Sequence, residues 1–261
     1  MINERKIPQF QTGLLIFFIF LLVALPGYTL LPEHSEKALD AVSLIRAVET
    51  QYQGDNSHGV MRMTIKTSRW SRTLTMESWT EGREKFLTRI LAPAKEKGIC
   101  TLKVDNDIWN YLPGVDRLIK IPSSLMGESW MGSHLTNDDL VKENKIDELY
   151  KLEITNQASS TVEITGIPSA DAAVVWGKLV YKIDIEKMVP LTIEFFDEDG
   201  EKVRLMTFSE VKMIENRWLP MLFRITPLDK PQEFTEVIYQ SISFSFLPPA
   251  GTFSLKSMRN R

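Results

Sequence analysis

Between Gly59 and Thr67 apolar and polar side chains alternate: Met61, Met63 and Ile65 fall on one side, Arg62, Thr64 and Lys66 on the other. A period of two is that of a strand with one dry and one wet face. The same beat returns at Arg72 to Trp79, Glu84 to Leu91, Ile99 to Val104, Ile108 to Leu112 and Leu118 to Ile121. After an irregular stretch it resumes at Leu149 to Thr155, Thr161 to Ile167, Val175 to Ile185 and Leu191 to Phe196, then at Lys202 to Lys212, Trp218 to Thr226 and Glu233 to Phe244. Gly, Pro and Asn-Asp pairs separate these runs, and Asp197-Glu198-Asp199-Gly200 and Glu215-Asn216 read as hairpin turns. About a dozen evenly spaced strands predict a mainly β chain with helices, built on one large antiparallel sheet curled toward a barrel.

The period moves to near 3.6 at Glu36 to Tyr52, where Leu39, Val42, Ile45, Val48 and Tyr52 form one stripe, Ser35 is a candidate N-cap and Gly54 a stop. Such a stripe needs a partner, most simply a face of the sheet. The second departure is Asp105 to Leu140. Trp109 and Tyr111 share one face of a hairpin near the turn Pro113-Gly114. Then come Leu125, Met126, Trp130 and Met131, in a run too rich in Gly and Ser for a regular core element. Thr136-Asn137-Asp138-Asp139 has the form of a capping box opening a short helix to about Lys145. Ser123 to Lys145 is thus expected to be a helical loop inserted between sheet halves, long enough to favour a mobile lid over an idle connection.

Charge narrows the possible partners. Lys plus Arg number 31 against 34 Asp plus Glu, a net charge of -3 that does not suit nucleic acid. At the N-terminus Arg5 and Lys6 precede the apolar run Gly13 to Leu25, which Pro26 and Gly27 end. Residues 1–31 therefore read as a signal peptide or an uncleaved N-terminal membrane anchor, and 32–261 as a single exported domain. No cysteine stands just after the run to take a lipid. The lone cysteine, Cys100, lies in a strand-like segment and reads as a buried, unreactive thiol.

Candidate chemistry is thin. His34, His58 and His134 lie too far apart in sequence for a zinc motif. Gly127 to Gly132 approaches a nucleophile elbow around Ser129, but Met131 stands where the motif needs glycine. Asp138 and Asp139 read as helix-start residues matched to the dipole. Arg83, Arg89 and Arg117 read as solvated strand charges, with a grip on a lipid phosphate as the alternative. No catalytic residue, metal or cofactor is expected. The supply of large apolar side chains is generous, with 6 Trp, 13 Phe and 11 Met, and Met suits irregular or changing contents. In the tail, Phe253 and Leu255 are expected to plug one end.

Arg89, Pro93, Gly98, the run Ile108 to Pro113, Arg117, and Met131 to Leu140 (MGSHLTNDDL) together resemble the outer-membrane lipoprotein-sorting family, relatives of the LolA-like periplasmic lipoprotein carrier. The resemblance spans most of the chain beyond the N-terminal segment. After M-G-S the family tends to carry an acidic residue and an aromatic, where this chain has His134 and Leu135. The resemblance implies a half-open β-barrel with helices over a concave apolar surface. It further implies binding of lipoprotein acyl chains or lipid rather than catalysis, in the periplasm, between an inner-membrane transporter and an outer-membrane acceptor. Candidate liners are Met61, Met63, Ile65, Met76, Trp109, Tyr111, Leu125, Met126, Trp130 and Met131. The alternative from a different class is an accessory module of a membrane transporter with a packed interior and no ligand.

Overall fold

The computed structural model describes residues 40–142 and 145–259. A first helix, α1 (Ala41–Gln53), is followed by β1 (Asn56–Lys66), β2 (Ser71–Glu81), β3 (Lys85–Ala92), β4 (Cys100–Val104), β5 (Asp107–Leu112) and β6 (Arg117–Lys120). The insert carries α2 (Asn137–Lys142) and α3 (Ile146–Leu149). Then come β7 (Tyr150–Gln157), β8 (Thr161–Pro168), β9 (Lys178–Asp184), β10 (Val189–Phe196), β11 (Lys202–Ile214), β12 (Arg217–Pro227) and β13 (Phe234–Ser243). Each alternating run of the sequence is one of these strands, with ends moved by a few residues.

All the strands join one antiparallel sheet of 13, ordered β6-β5-β4-β3-β2-β1-β13-β12-β11-β10-β9-β8-β7. The chain steps outward from β1 to β6, crosses to the far edge, and steps back from β7 to β13, which closes on β1. The insert is therefore the connection between the two edges. Twist accumulated over so many strands curls the sheet, and because β6 and β7 do not pair, the barrel stays half-open.

α1 lies on the concave face. Its N-cap is Asp40, not Ser35: the Asp40 carboxylate accepts the Ser43 amide at 2.9 Å. Ser35 and Glu36 fall outside the described residues, as does the predicted targeting segment 1–31. The buried stripe is Ala41, Leu44, Ile45 and Val48, at i, i+3, i+4 and i+7. Gly54, at φ 63°, ends the helix by donating its amide to the Thr50 carbonyl. No described helix is long and apolar enough to cross a membrane.

The two faces of the sheet at β3 to β5 are both apolar, and this reverses one expectation. Phe86, Thr88 and Ile90 point to the concave side, so Leu87 points outward; by register Cys100, Leu102, Trp109 and Tyr111 share that outer face. There Leu87, Cys100, Leu102 and Tyr111 are buried with Met258, and Trp109 and Phe253 pack against them. The C-terminal segment covers this outer face: Arg89 donates to the Ser257 carbonyl at 2.9 Å, and Cys100 faces the Met258 carbonyl. Trp109 and Tyr111 therefore belong to an outer core, not to the concave surface. Phe253 covers the sheet rather than plugging an end, and Leu255 is exposed. Alternation gives the spacing of a face but not its side.

Candidate functional site

Between α1 and the concave face lies a cavity of about 210 Å³. One water needs roughly 10–15 Å³ by the same measure, so this space is far more than a packing defect. Ile45, Val48 and Tyr52 line it from α1, and Trp130, Leu135 and Leu140 from the insert. From the sheet come Met61, Met63, Met76, Phe86, Met206, Phe208 and Phe223, among others. The register sets the wall, with Met61 opposite Met76 and Phe208 opposite Phe223. One helix laid across a curled sheet meets it along a line and leaves the flanks open.

Of the sequence candidates, Met61, Met63, Met76 and Trp130 border the cavity. Ile65 is fully buried in the adjoining core with Leu74 and Ile225. Leu125 is exposed and Met126 half-buried. Met131 packs beside that core, and its carbonyl accepts from Arg72. Those positions, with Trp109 and Tyr111, are not part of the wall. Sequence reasoning passed over Phe195, Met206, Phe208 and Phe223. The period-two rule that named Met61 and Met63 would have found them in β10 to β12.

The insert is bound to the sheet at several points rather than hanging on its ends. The capping box is reciprocal: Thr136 donates its amide to Asp139 Oδ2 at 2.7 Å, and the Asp139 amide donates to Thr136 Oγ1 at 3.0 Å. Asp139 does more than answer the helix dipole. Its two oxygens accept Arg204 of β11 at 2.7 and 2.9 Å, and Trp176 Nε1 adds a bond at 3.0 Å. Arg204 is 4% exposed. It lies 3.7 Å over the Phe195 ring and 4.2 Å over Trp176, and donates to the His134 carbonyl at 3.1 Å. Trp130 Nε1 donates to Thr101 Oγ1 at 3.0 Å. The M-G-S segment turns through Met131 at φ 53° and Gly132 at φ 71°, a left-handed pair where glycine is favoured.

Burial pushes the Asp139 carboxyl up, but Arg204 beside it and the hydrogen bonds it accepts outweigh this and hold it below the usual carboxylate range. Burial pushes the Tyr150 hydroxyl up, and the Asp138 and Asp139 charges add to that. His134 is lowered by burial, against the pull of Glu233, whose carboxylate lies 3.6 Å from Nε2. Its Nδ1 meets Thr235 Oγ1 at 2.9 Å. No hydrogen bond joins His134 to Ser129 among the described residues.

Arg83 is not a solvated strand charge. It sits in the β2–β3 turn and ties Glu49 of α1 at 3.1 Å to Asp147 and Glu148 of α3, while Arg46 of α1 also pairs with Asp147. Of this cluster, Glu49 lines the cavity. Arg89 serves the C-terminal segment, and of the arginines singled out in the sequence only Arg117 is exposed.

A thirteen-strand half-open sheet with helices over its concave face is the LolA-like fold, and comparisons with solved structures agree. A domain from Vibrio parahaemolyticus, described as an outer membrane lipoprotein-sorting protein domain, superposes with TM-score 0.73 at 20% identity over 84% of this chain and 98% of that one. A DUF1329 family protein from Desulfovibrio piger gives 0.76 at 17% over 84% and 97%. A LolA superfamily protein from Nitrosomonas europaea gives 0.70 at 15% over 84% and 100%. By sequence, the chain belongs to the family whose model carries the description "Uncharacterized protein" and matches residues 82–260. No curated protein matches it.

Proposed function

We propose that this chain is a periplasmic carrier, with residues 32–261 as one binding domain, that holds the acyl chains of a lipoprotein or a lipid and passes them toward the outer membrane. The observation that carries this reading is the apolar cavity between α1 and the curled sheet. Each methylene moved from water into such a space is worth about 0.8 kcal/mol, so one ordinary acyl chain yields on the order of 10 kcal/mol before ordering costs. The open interior speaks against the accessory-module alternative, which needs a packed one. Binding this favourable makes release the harder step, and it requires a partner that moves α1 or an acceptor with a stronger hold. An inner-membrane donor and an outer-membrane acceptor fit those roles.

Native mass spectrometry of gently extracted protein is expected to show acyl-chain adducts, and the purified chain is expected to take up labelled lipid. Ligand-free protein that also takes up none would sink the reading. Phe208→Asp, which sets a carboxylate in the wall, is expected to reduce uptake at least tenfold, on the order of the cost of an unpaired buried charge.

A further inference from the structure

At the β1–β2 turn the sheet presents a tryptophan and several cations to solvent. Trp70 is 43% exposed, and Lys66, Arg69 and Ser71 beside it are exposed too. Two neighbouring loops meet this turn. Arg72 pairs with Glu96 of the β3–β4 loop at 3.1 Å, and the Ser68 amide donates to Glu233 of the β12–β13 connection at 2.8 Å. The insert reaches it as well: Arg72 donates to the Met131 carbonyl, and a Cβ placed on Gly132 would lie 3.9 Å from the Trp70 ring. Trp130, the residue before Met131, lines the cavity. The turn therefore sits against the cover of the cavity while its own large side chain is half in solvent.

Charge decides what fits this surface. The turn, the two loops and residues 127–135 of the insert carry six cations, Lys66, Arg69, Arg72, Lys95, Lys97 and Lys230, against four carboxylates, Glu96, Glu128, Asp229 and Glu233. His134 is held toward its neutral form by burial. Glu96 is taken by Arg72, Asp229 lies 3.5 Å from Lys230, and Glu233 accepts the Ser68 amide. Lys66, Arg69, Lys95 and Lys97 are exposed and hold no ion pair among the described residues. On a chain of net charge -3 this is a local positive excess. The β10–β11 turn, with Asp197, Glu198, Asp199 and Glu201, is at the same end of the sheet, but β11 stands three strands beyond β1. That is about 14 Å at ordinary strand spacing, more than the Debye length at physiological salt, so the acidic turn tilts an approaching surface without cancelling the positive one. Tryptophan among Lys and Arg suits a membrane–water interface, where the ring sits at headgroup level and the cations meet lipid phosphates.

Resting on the carrier reading, we infer that the β1–β2 turn and the β3–β4 loop dock this chain on an anionic lipid bilayer, with Trp70 among the headgroups and Lys66, Arg69, Lys95 and Lys97 on their phosphates. Docked this way, the chain holds the Trp130 side of its cavity cover against the membrane that gives or receives the acyl chain.

Sedimentation of the full chain with vesicles tests this, using phosphatidylcholine with about 30% phosphatidylglycerol in about 0.1 M salt, and pure phosphatidylcholine for comparison. The double variant Lys95→Ser with Lys97→Ser, at exposed positions that hold no ion pair, is expected to bind the anionic vesicles about tenfold more weakly and the neutral ones unchanged. The apolar run at residues 13–25 is common to parent and variant, so the difference reads the loop. Lipids with brominated chains give an independent reading: the parent should show a component of tryptophan quenching that Trp70→Phe lacks. Equal binding by parent and double variant, or quenching that Trp70→Phe leaves unchanged, would overturn the inference. Binding of the parent to a polyglutamate peptide but not to anionic vesicles would overturn it in favour of an acidic protein partner. None of these results touches the carrier reading, because uptake of labelled lipid is measured without vesicles. A chain that docks as expected yet takes up no lipid would keep the docking surface and overturn the carrier reading.

Discussion

Replacing Asp139 with alanine should cost this protein more stability than any surface change. The side chains of Asp139 and Arg204 are 8% and 5% exposed, and they meet through two hydrogen bonds of 2.7 and 2.9 Å. Removing the carboxylate strands a guanidinium among Phe195, Trp176 and the His134 carbonyl. Breaking one side of a buried pair costs about 3–5 kcal/mol, and loss of the cap to Thr136 adds about 1 kcal/mol. Domains of this size lose roughly 2–4 °C per kcal/mol, so a loss of about 4 kcal/mol lowers Tm by about 8–16 °C. Differential scanning calorimetry at neutral pH measures it. The double variant Asp139→Leu with Arg204→Met removes both charges and should fall by much less than the sum of the single losses. The pH dependence has a fixed sign. The folded carboxyl sits below its unfolded value, so its contribution is present above the ordinary carboxylate range and is lost as pH falls through the folded pKa. A fall of less than about 2 °C for Asp139→Ala, or strict additivity in the pair, would refute the claim that this ion pair ties the insert to β11.

Three further outcomes follow from the same contacts. Trp109→Ala should lower Tm through loss of the outer core, by about 3 kcal/mol, yet leave lipid uptake unchanged; a matching loss of uptake would return this residue to the site. His134 titrates below its ordinary value, so stability should decline as pH drops below about 6.5 toward the folded pKa, and a His134→Gln variant should flatten that slope in pH-resolved melts. Burial pushes the Cys100 thiol up, with Arg89 opposing, so native protein should resist alkylation while unfolded protein reacts, as followed by mass.

The M-G-S segment is a tight reversal of the chain. Two successive left-handed residues reverse the chain directly after Trp130, which lets Ser133 Oγ return to the Trp130 carbonyl at 2.7 Å and sets His134 against Thr235. Glu233 of the β12–β13 connection sets its carboxylate 3.6 Å from His134 Nε2.

What the chain itself determined is local. Alternation at Met61, Met63 and Ile65 and its repeats fixed the strands, the stripe at Ile45 and Val48 fixed α1, and Thr136 with Asp139 fixed the start of α2, because each depends on neighbours a few residues away. The tertiary structure decided which face of each strand looks inward. Trp109 and Tyr111 carry the same pattern as Met61 and Met63 but lie outside, because the C-terminal segment with Met258 covers that face. It also decided what the charges do. Nothing within several residues of Asp139 announces Arg204, and nothing near Arg83 announces Glu49 and Asp147, since these partners meet only when the sheet curls and the insert crosses from β6 to β7. The cavity has the same origin: its wall draws on α1, the insert and strands from both halves of the sheet, so it has no signature in any single segment.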